Sequence, residues 1–134
     1  MANRSFKPTQ AVDQAVTHVF AKVDVVDGSG AVTLSAADSV GVNKIVRNGA
    51  GRYTVTFGDS ARDTTDKYNK LLSFHGAVIQ TGNTATDLTF QIETDGASSG
   101  TVQFNTLAAA VETDPANGQA LLLHFTLKNS SYSP

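Results

Sequence analysis

The sequence predicts an all-β fold, an antiparallel β-sandwich or Greek-key barrel of about seven to eight strands, preceded by an extended N-terminal arm. Three observations lead there. In residues 52–57, Tyr53, Val55 and Phe57 fall on one face and Arg52, Thr54 and Thr56 on the other, the period-two signature of a strand with one buried side. The wider stretch 42–57, VNKIVRNGAGRYTVTF, sets two extended segments around Asn48-Gly49-Ala50-Gly51, where asparagine and glycine supply the positive φ of a tight hairpin turn. Gly, Ser, Thr, Asn and Asp are abundant and charged residues make up only 16%, the composition of a turn-rich β protein. A length of 134 residues suits one domain with its own core. The chain accordingly reads as an arm over residues 1–15 and a single β-domain over residues 16–134.

Taken in order, the opening residues are polar, carry Pro8 and show no periodicity. They read as a terminus, or as an arm that orders on a partner with Phe6 as its anchor. Residues 16–26 alternate Val19, Ala21, Val23 and Val25 against His18, Lys22 and Asp24, a long strand with an expected bulge or face change near Phe20. A short helix over 13–21 is disfavoured by the β-branched content. Residues 27–30 form a turn, 31–34 begin the return strand, and 36–39 connect to the central hairpin. The loop 58–66 is polar and mildly acidic.

Residues 71–79 carry apolar side chains on both faces: Leu72, Phe74 and Val78 on one, Leu71, Ala77 and Ile79 on the other. That pattern predicts a central strand, or one covered by a neighbouring subunit. Gly76 marks a bulge or a close approach. Residues 81–87 are a loop, 88–92 alternate cleanly, 95–100 turn, and 101–104 start another strand. The alanine run at 108–110 is compatible with a helical turn, and Asp114-Pro115 and Asn117-Gly118 are turn signals. In residues 120–127, Leu121, Leu123, Phe125 and Leu127 share one face. This is the most apolar segment, expected as a core strand close to the hairpin.

Composition excludes several kinds of chemistry. There is no cysteine, so disulfides, thiolate metal sites and cysteine nucleophiles are ruled out. The formal net charge is −2 and no basic stripe is present, which argues against nucleic acid as a partner. No apolar run approaches the roughly 20 residues of a membrane helix, and the first residues lack the apolar core of a signal peptide. The chain therefore reads as a soluble protein made and folded in a cytoplasm, with any later location reached by assembly.

Candidate chemical groups are sparse. His18, His75 and His124 each fall within a predicted strand, far apart in sequence and without metal-motif spacing; solvent-facing strand histidines are the default reading. Asp59, Asp63 and Asp66 share one loop but lack the glycine and glutamate offsets of an EF-hand. Ser73 and His75 lie on one strand face, with no nucleophile elbow around them. Glu93 and Glu112 are the only glutamates, and nothing in the sequence pairs them as a glycosidase would require. No phosphate loop or dinucleotide fingerprint is present. Neither an enzyme nor a cofactor or metal site is expected.

Three segments resemble small structural proteins of tailed bacteriophages. They are the opening MANRSF, the hairpin IVRNGAGRYTVTF at 45–57, and TDPANG at 113–118 with LLLHFTLKNS at 121–130. Within that group the resemblance implies a capsid decoration, or cement, protein: small, β-rich, often trimeric, placed on the virion surface at joints between major capsid subunits. By that resemblance, Asn3, Arg4, Phe6 and Lys7 of the arm contact the shell or a neighbouring copy. Leu71 and Ile79, at the ends of an apolar strand, are candidates for a subunit interface. The partner would be the major capsid protein, with the chain itself a homotrimer. A tail-fibre or tail-tip module touching the host surface is the alternative. A carbohydrate-binding module would normally expose Trp or Tyr, whereas Trp is absent and Tyr53 is expected to be buried.

Overall fold

The computed structural model describes residues 16–26, 31–80 and 88–128. The arm residues Asn3, Arg4, Phe6 and Lys7, the expected turn at 27–30, the loop 81–87 and Tyr132 lie outside the described residues. The described chain forms nine strands: β1 (Val16–Val25), β2 (Val32–Leu34), β3 (Val42–Gly49), β4 (Arg52–Phe57), β5 (Lys70–Ile79), β6 (Thr89–Gly96), β7 (Thr101–Ala108), β8 (Val111–Glu112) and β9 (Ala120–Lys128). Short 3-10 turns at Ala36–Asp38 and Ala97–Ser99 complete the secondary structure. No helix among the described residues is long and apolar enough to cross a membrane.

The strands build two antiparallel sheets. One runs β2-β1-β9-β5; the other runs β3-β4-β7-β6, with β8 paired to the end of β7 beyond β4. The architecture is a β-sandwich, as the alternation predicts. Its core is filled from both inner faces: Val19, Ala21 and Val23 from β1, Tyr53, Val55 and Phe57 from β4, Val102 and Phe104 from β7, and Leu121, Leu123, Phe125 and Leu127 from β9. The β9 tetrad is fully buried, and Phe125 meets Phe57 edge-on at 5.4 Å between ring centroids, so the most apolar strand packs against the hairpin across the sandwich. Phe74 from β5 joins Phe104 and Phe125 at 5.5 and 5.0 Å, and Phe90 from β6 meets Phe74 at 6.2 Å. Every buried side-chain nitrogen and oxygen among the described residues has a hydrogen-bond partner.

The central hairpin forms as expected. Gly51 sits at φ +65°, and a Cβ there would lie 2.6 Å from both Thr106 O and Thr113 N, so the turn needs glycine for conformation and for space. Four expectations are corrected. The register between β1 and β9 is continuous from Val16 to Asp24, without a bulge at Phe20; that ring simply belongs to the outward row with His18 and Lys22. Strand β5 is an edge strand, not a central one. The alanine run makes no helical turn: Ala109 and Ala110 take φ of 50° and 66°, reversing the chain into β8. Two consecutive positive φ values are the hairpin-turn conformation, which the short β7–β8 connection imposes in spite of the alanine side chains. That reversal adds the ninth strand. Lastly, Gly76 marks a close approach and no bulge: a Cβ there would lie 2.5 Å from Phe90 Cγ, while the register shift in β5 falls between Leu71 and Ser73.

Candidate interaction face

Three polar constellations emerge that the sequence spacing does not reveal. In the first, Asp114 accepts hydrogen bonds from Arg47 Nε at 3.1 Å, Arg47 Nη2 at 2.7 Å, the Gly51 amide at 2.8 Å and the Tyr53 hydroxyl at 3.4 Å. Burial by itself would raise the Asp114 carboxyl; the Arg47 fork, the Gly51 amide and the Tyr53 hydroxyl outweigh it and hold the carboxyl below its usual range. Burial and the neighbouring carboxylate push Tyr53 well above an ordinary phenol. All of the carboxylate's partners are structural, so this constellation pins the β3–β4 turn to the loop before β9.

In the second, Glu93 and Glu112 converge on Arg52, at 3.1 and 3.3 Å. The two glutamates stand apart in sequence, yet strand pairing brings them to one guanidinium. They form a surface ion-pair network rather than a carboxylate pair facing a cleft. The loop aspartates are likewise absorbed locally: Asp63 accepts from Asn43 Nδ2 at 3.2 Å, and Asp59 accepts from the Ala61 amide at 2.9 Å and lies 3.6 Å from Arg62. A depression of about 440 Å³ lies beside this loop, between residues 36–42 and 58–66, lined mainly by small side chains.

The third constellation occupies the outer face of the β2-β1-β9-β5 sheet. Outward residues recur at every second position of β1, β9 and β5, because the inward positions belong to the core. The register aligns them in rows. Val40, Phe20, His124 and His75 make one row, since Phe20 bridges Val40 and pairs with His124, which pairs with His75. Lys22, Leu122 and Ala77 make the next, and His18, Thr126 and Ser73 the row on the other side. The Phe20 ring stacks on His124 at 4.5 Å with 12° between planes. His18 Nδ1 lies 3.0 Å from His124 Nε2, with the Thr126 hydroxyl 3.5 Å from the same His18 nitrogen. Burial, then the proximity of His18 and His75, lower the pKa of His124.

This face is unusually apolar for an uncovered surface. Phe20 is 48% exposed, Leu122 43%, Val40 64% and Ile79 43%, and they adjoin one another through the register. Single exposed apolar residues need no explanation, whereas a contiguous set marks an interaction surface. A shallow depression of about 270 Å³ lies in its centre, between Phe20, Asp38, His75, Ala77, Leu122 and His124.

Of the residues expected at an interface, Ile79 is on this face, in the row of Asp24 and Ala120. Leu71 is not: it pairs with Leu127 and packs against the core, while the adjacent bulge leaves Leu72 47% exposed in its place. Phe20, Leu122 and Val40 were not singled out from sequence. The available signal was parity, an aromatic ring in the row of His18, Lys22 and Asp24 and a leucine in the row of His124 and Thr126. Among the described residues no group of three or more His, Asp or Glu gathers as a metal site. Comparison with protein-family models, with curated proteins and with solved structures finds no match to this chain.

Proposed function

We propose that this chain is a non-enzymatic structural protein that works by covering another protein's surface. Within that class, we propose that it is a tailed-phage decoration protein seated on the outside of the capsid at joints between major capsid subunits. The observation that carries the first part is the contiguous apolar face around Phe20, Leu122 and Val40. It lies on a rigid sheet whose opposite side is the filled core, so binding needs no rearrangement of the domain. The second part is supported by the resemblance in the opening MANRSF, the 45–57 hairpin and the C-terminal strand.

The physical logic is area and multiplicity. Burying Phe20 and Leu122 would contribute very roughly 1.5–3 kcal/mol each, modest for a single contact. A trimer presenting that contact three times at once converts a weak site into tight occupancy, because the second and third contacts form at high effective concentration. Cosedimentation of the purified chain with mature, undecorated tailed-phage capsids tests this reading, with the mass of the free chain measured alongside. Saturable binding in multiples of the shell's symmetric sites is the expected result. Binding to purified tails or host cells, and not to capsids, would replace the decoration reading with that of a tail module.

A further inference from the structure

The chain has three histidines and no cysteine, and strand pairing brings all three histidines to the outer face of one sheet. Two of them meet atom to atom. His18 Nδ1 and His124 Nε2 are 3.0 Å apart, carried by neighbouring strands whose register is continuous on both sides of the contact. Two imidazole nitrogens bound to one zinc-class ion at about 2.0–2.1 Å each stand about 2.9 Å apart at a right-angled geometry and about 3.4 Å apart at a tetrahedral one. The observed separation falls within that interval.

Without a metal, the pair shares one N–H between two lone pairs. If His18 carries its proton on Nε2, and His124 carries its own on Nδ1, both lone pairs point into the same space. The change is one of tautomer alone and releases no proton from a neutral pair. We propose that His18 and His124 form a two-imidazole clamp for a divalent cation of the zinc, nickel and copper class.

Imidazole nitrogen selects these ions over magnesium and calcium, which prefer oxygen. The backbone of β1 and β9 fixes the two ligand positions, and the stacked Phe20 ring restricts rotation of the His124 imidazole. Burial favours neutral His124, the form that binds metal. With two ligands from the chain, the remaining coordination positions face outward, open to water or to a side chain of whatever covers the sheet. The site is therefore exchangeable rather than a closed structural one. The inference stands on the histidine geometry alone and does not depend on the identity of the surface that the face contacts.

Zinc chloride added to the metal-free full-length chain at neutral pH, followed through the imidazole C–H resonances of the three histidines, tests it. The expected result is a saturable change of the His18 and His124 signals together, at one ion per chain, with a smaller response from His75. His18→Asn and His124→Asn should each weaken binding by more than the roughly 10–100-fold typical of outer-shell changes, and His75→Asn should preserve it. Amide spectra of the variants check that each is folded. Absence of a saturable change at millimolar zinc would overturn the proposal, as would binding that survives in both the His18 and the His124 variants.

Discussion

At the scale of single residues, the clearest stabilising device is Asp114. Its carboxylate gathers a guanidinium fork, a backbone amide and a phenol, and so ties the hairpin turn to a distant loop. Asp114→Asn should cost about 1–3 kcal/mol at neutral pH, read from denaturant midpoints, because charge-assisted bonds are lost and their donors left under-satisfied. The pH dependence has a definite sign. A carboxyl held below its unfolded value of about 3.9 contributes its full stability above that value and loses it as pH falls through the lower folded value. The gap between wild type and Asp114→Asn should therefore shrink as the pH is lowered through and below that range; a gap that stays constant would assign the effect to packing. At Ala109 and Ala110, both at positive φ, an Asn-Gly pair should raise stability by roughly 1–2 kcal/mol, because it relieves two residues of left-handed strain. No change in thermal midpoint would mean the turn relaxes at no cost. Neither feature was legible beforehand. Asp114 reads as half of a turn dipeptide, and its partners lie 61 to 67 positions away. The alanines read as helix formers, because propensity is local while the turn is imposed by pairing of β7 with β8.

At the scale of elements, period two was enough to place eight strands, the hairpin and the buried tetrad of β9, since each inward row had to be apolar to fill a core. The same rule misplaced β5. Apolar residues on both faces usually mean a central strand, yet here β5 closes one edge, and its outward side chains remain uncovered in the single chain. Its inward side is tightly constrained at Gly76, which lies beneath Phe90. Gly76→Ala should destabilise the fold by about 1–3 kcal/mol through overpacking, and adding Phe90→Leu should recover part of that loss. Equal stability of Gly76→Ala and wild type would show that β5 can lift away from β6 freely. The interaction face was only half legible: Ile79 was recognised, whereas Phe20 and Leu122 became meaningful only once the β1–β9 register put them side by side with the histidines.

At the scale of the whole molecule, the sandwich divides its labour between its two surfaces of contact. The inner faces supply stability through a core with no orphaned polar atom among the described residues, and the outer face of one sheet leaves aromatic and aliphatic surface available to a partner. Because the exposed groups take no part in the core, changes to them should separate binding from folding. Residues 1–12 lie outside the described sandwich, so their removal should leave the thermal midpoint within a few degrees of wild type while weakening attachment, if the arm adds a second contact. The account's central claim is that the face around Phe20 and Leu122 is the contact surface, and the most direct measurement is a capsid-binding isotherm of the wild type beside Phe20→Ser/Leu122→Ser. The account predicts a variant with an unchanged unfolding transition and an apparent affinity lower by at least about tenfold, the equivalent of roughly 1.4 kcal/mol. An unchanged isotherm for a folded variant would contradict it and move the contact to another surface of the sandwich.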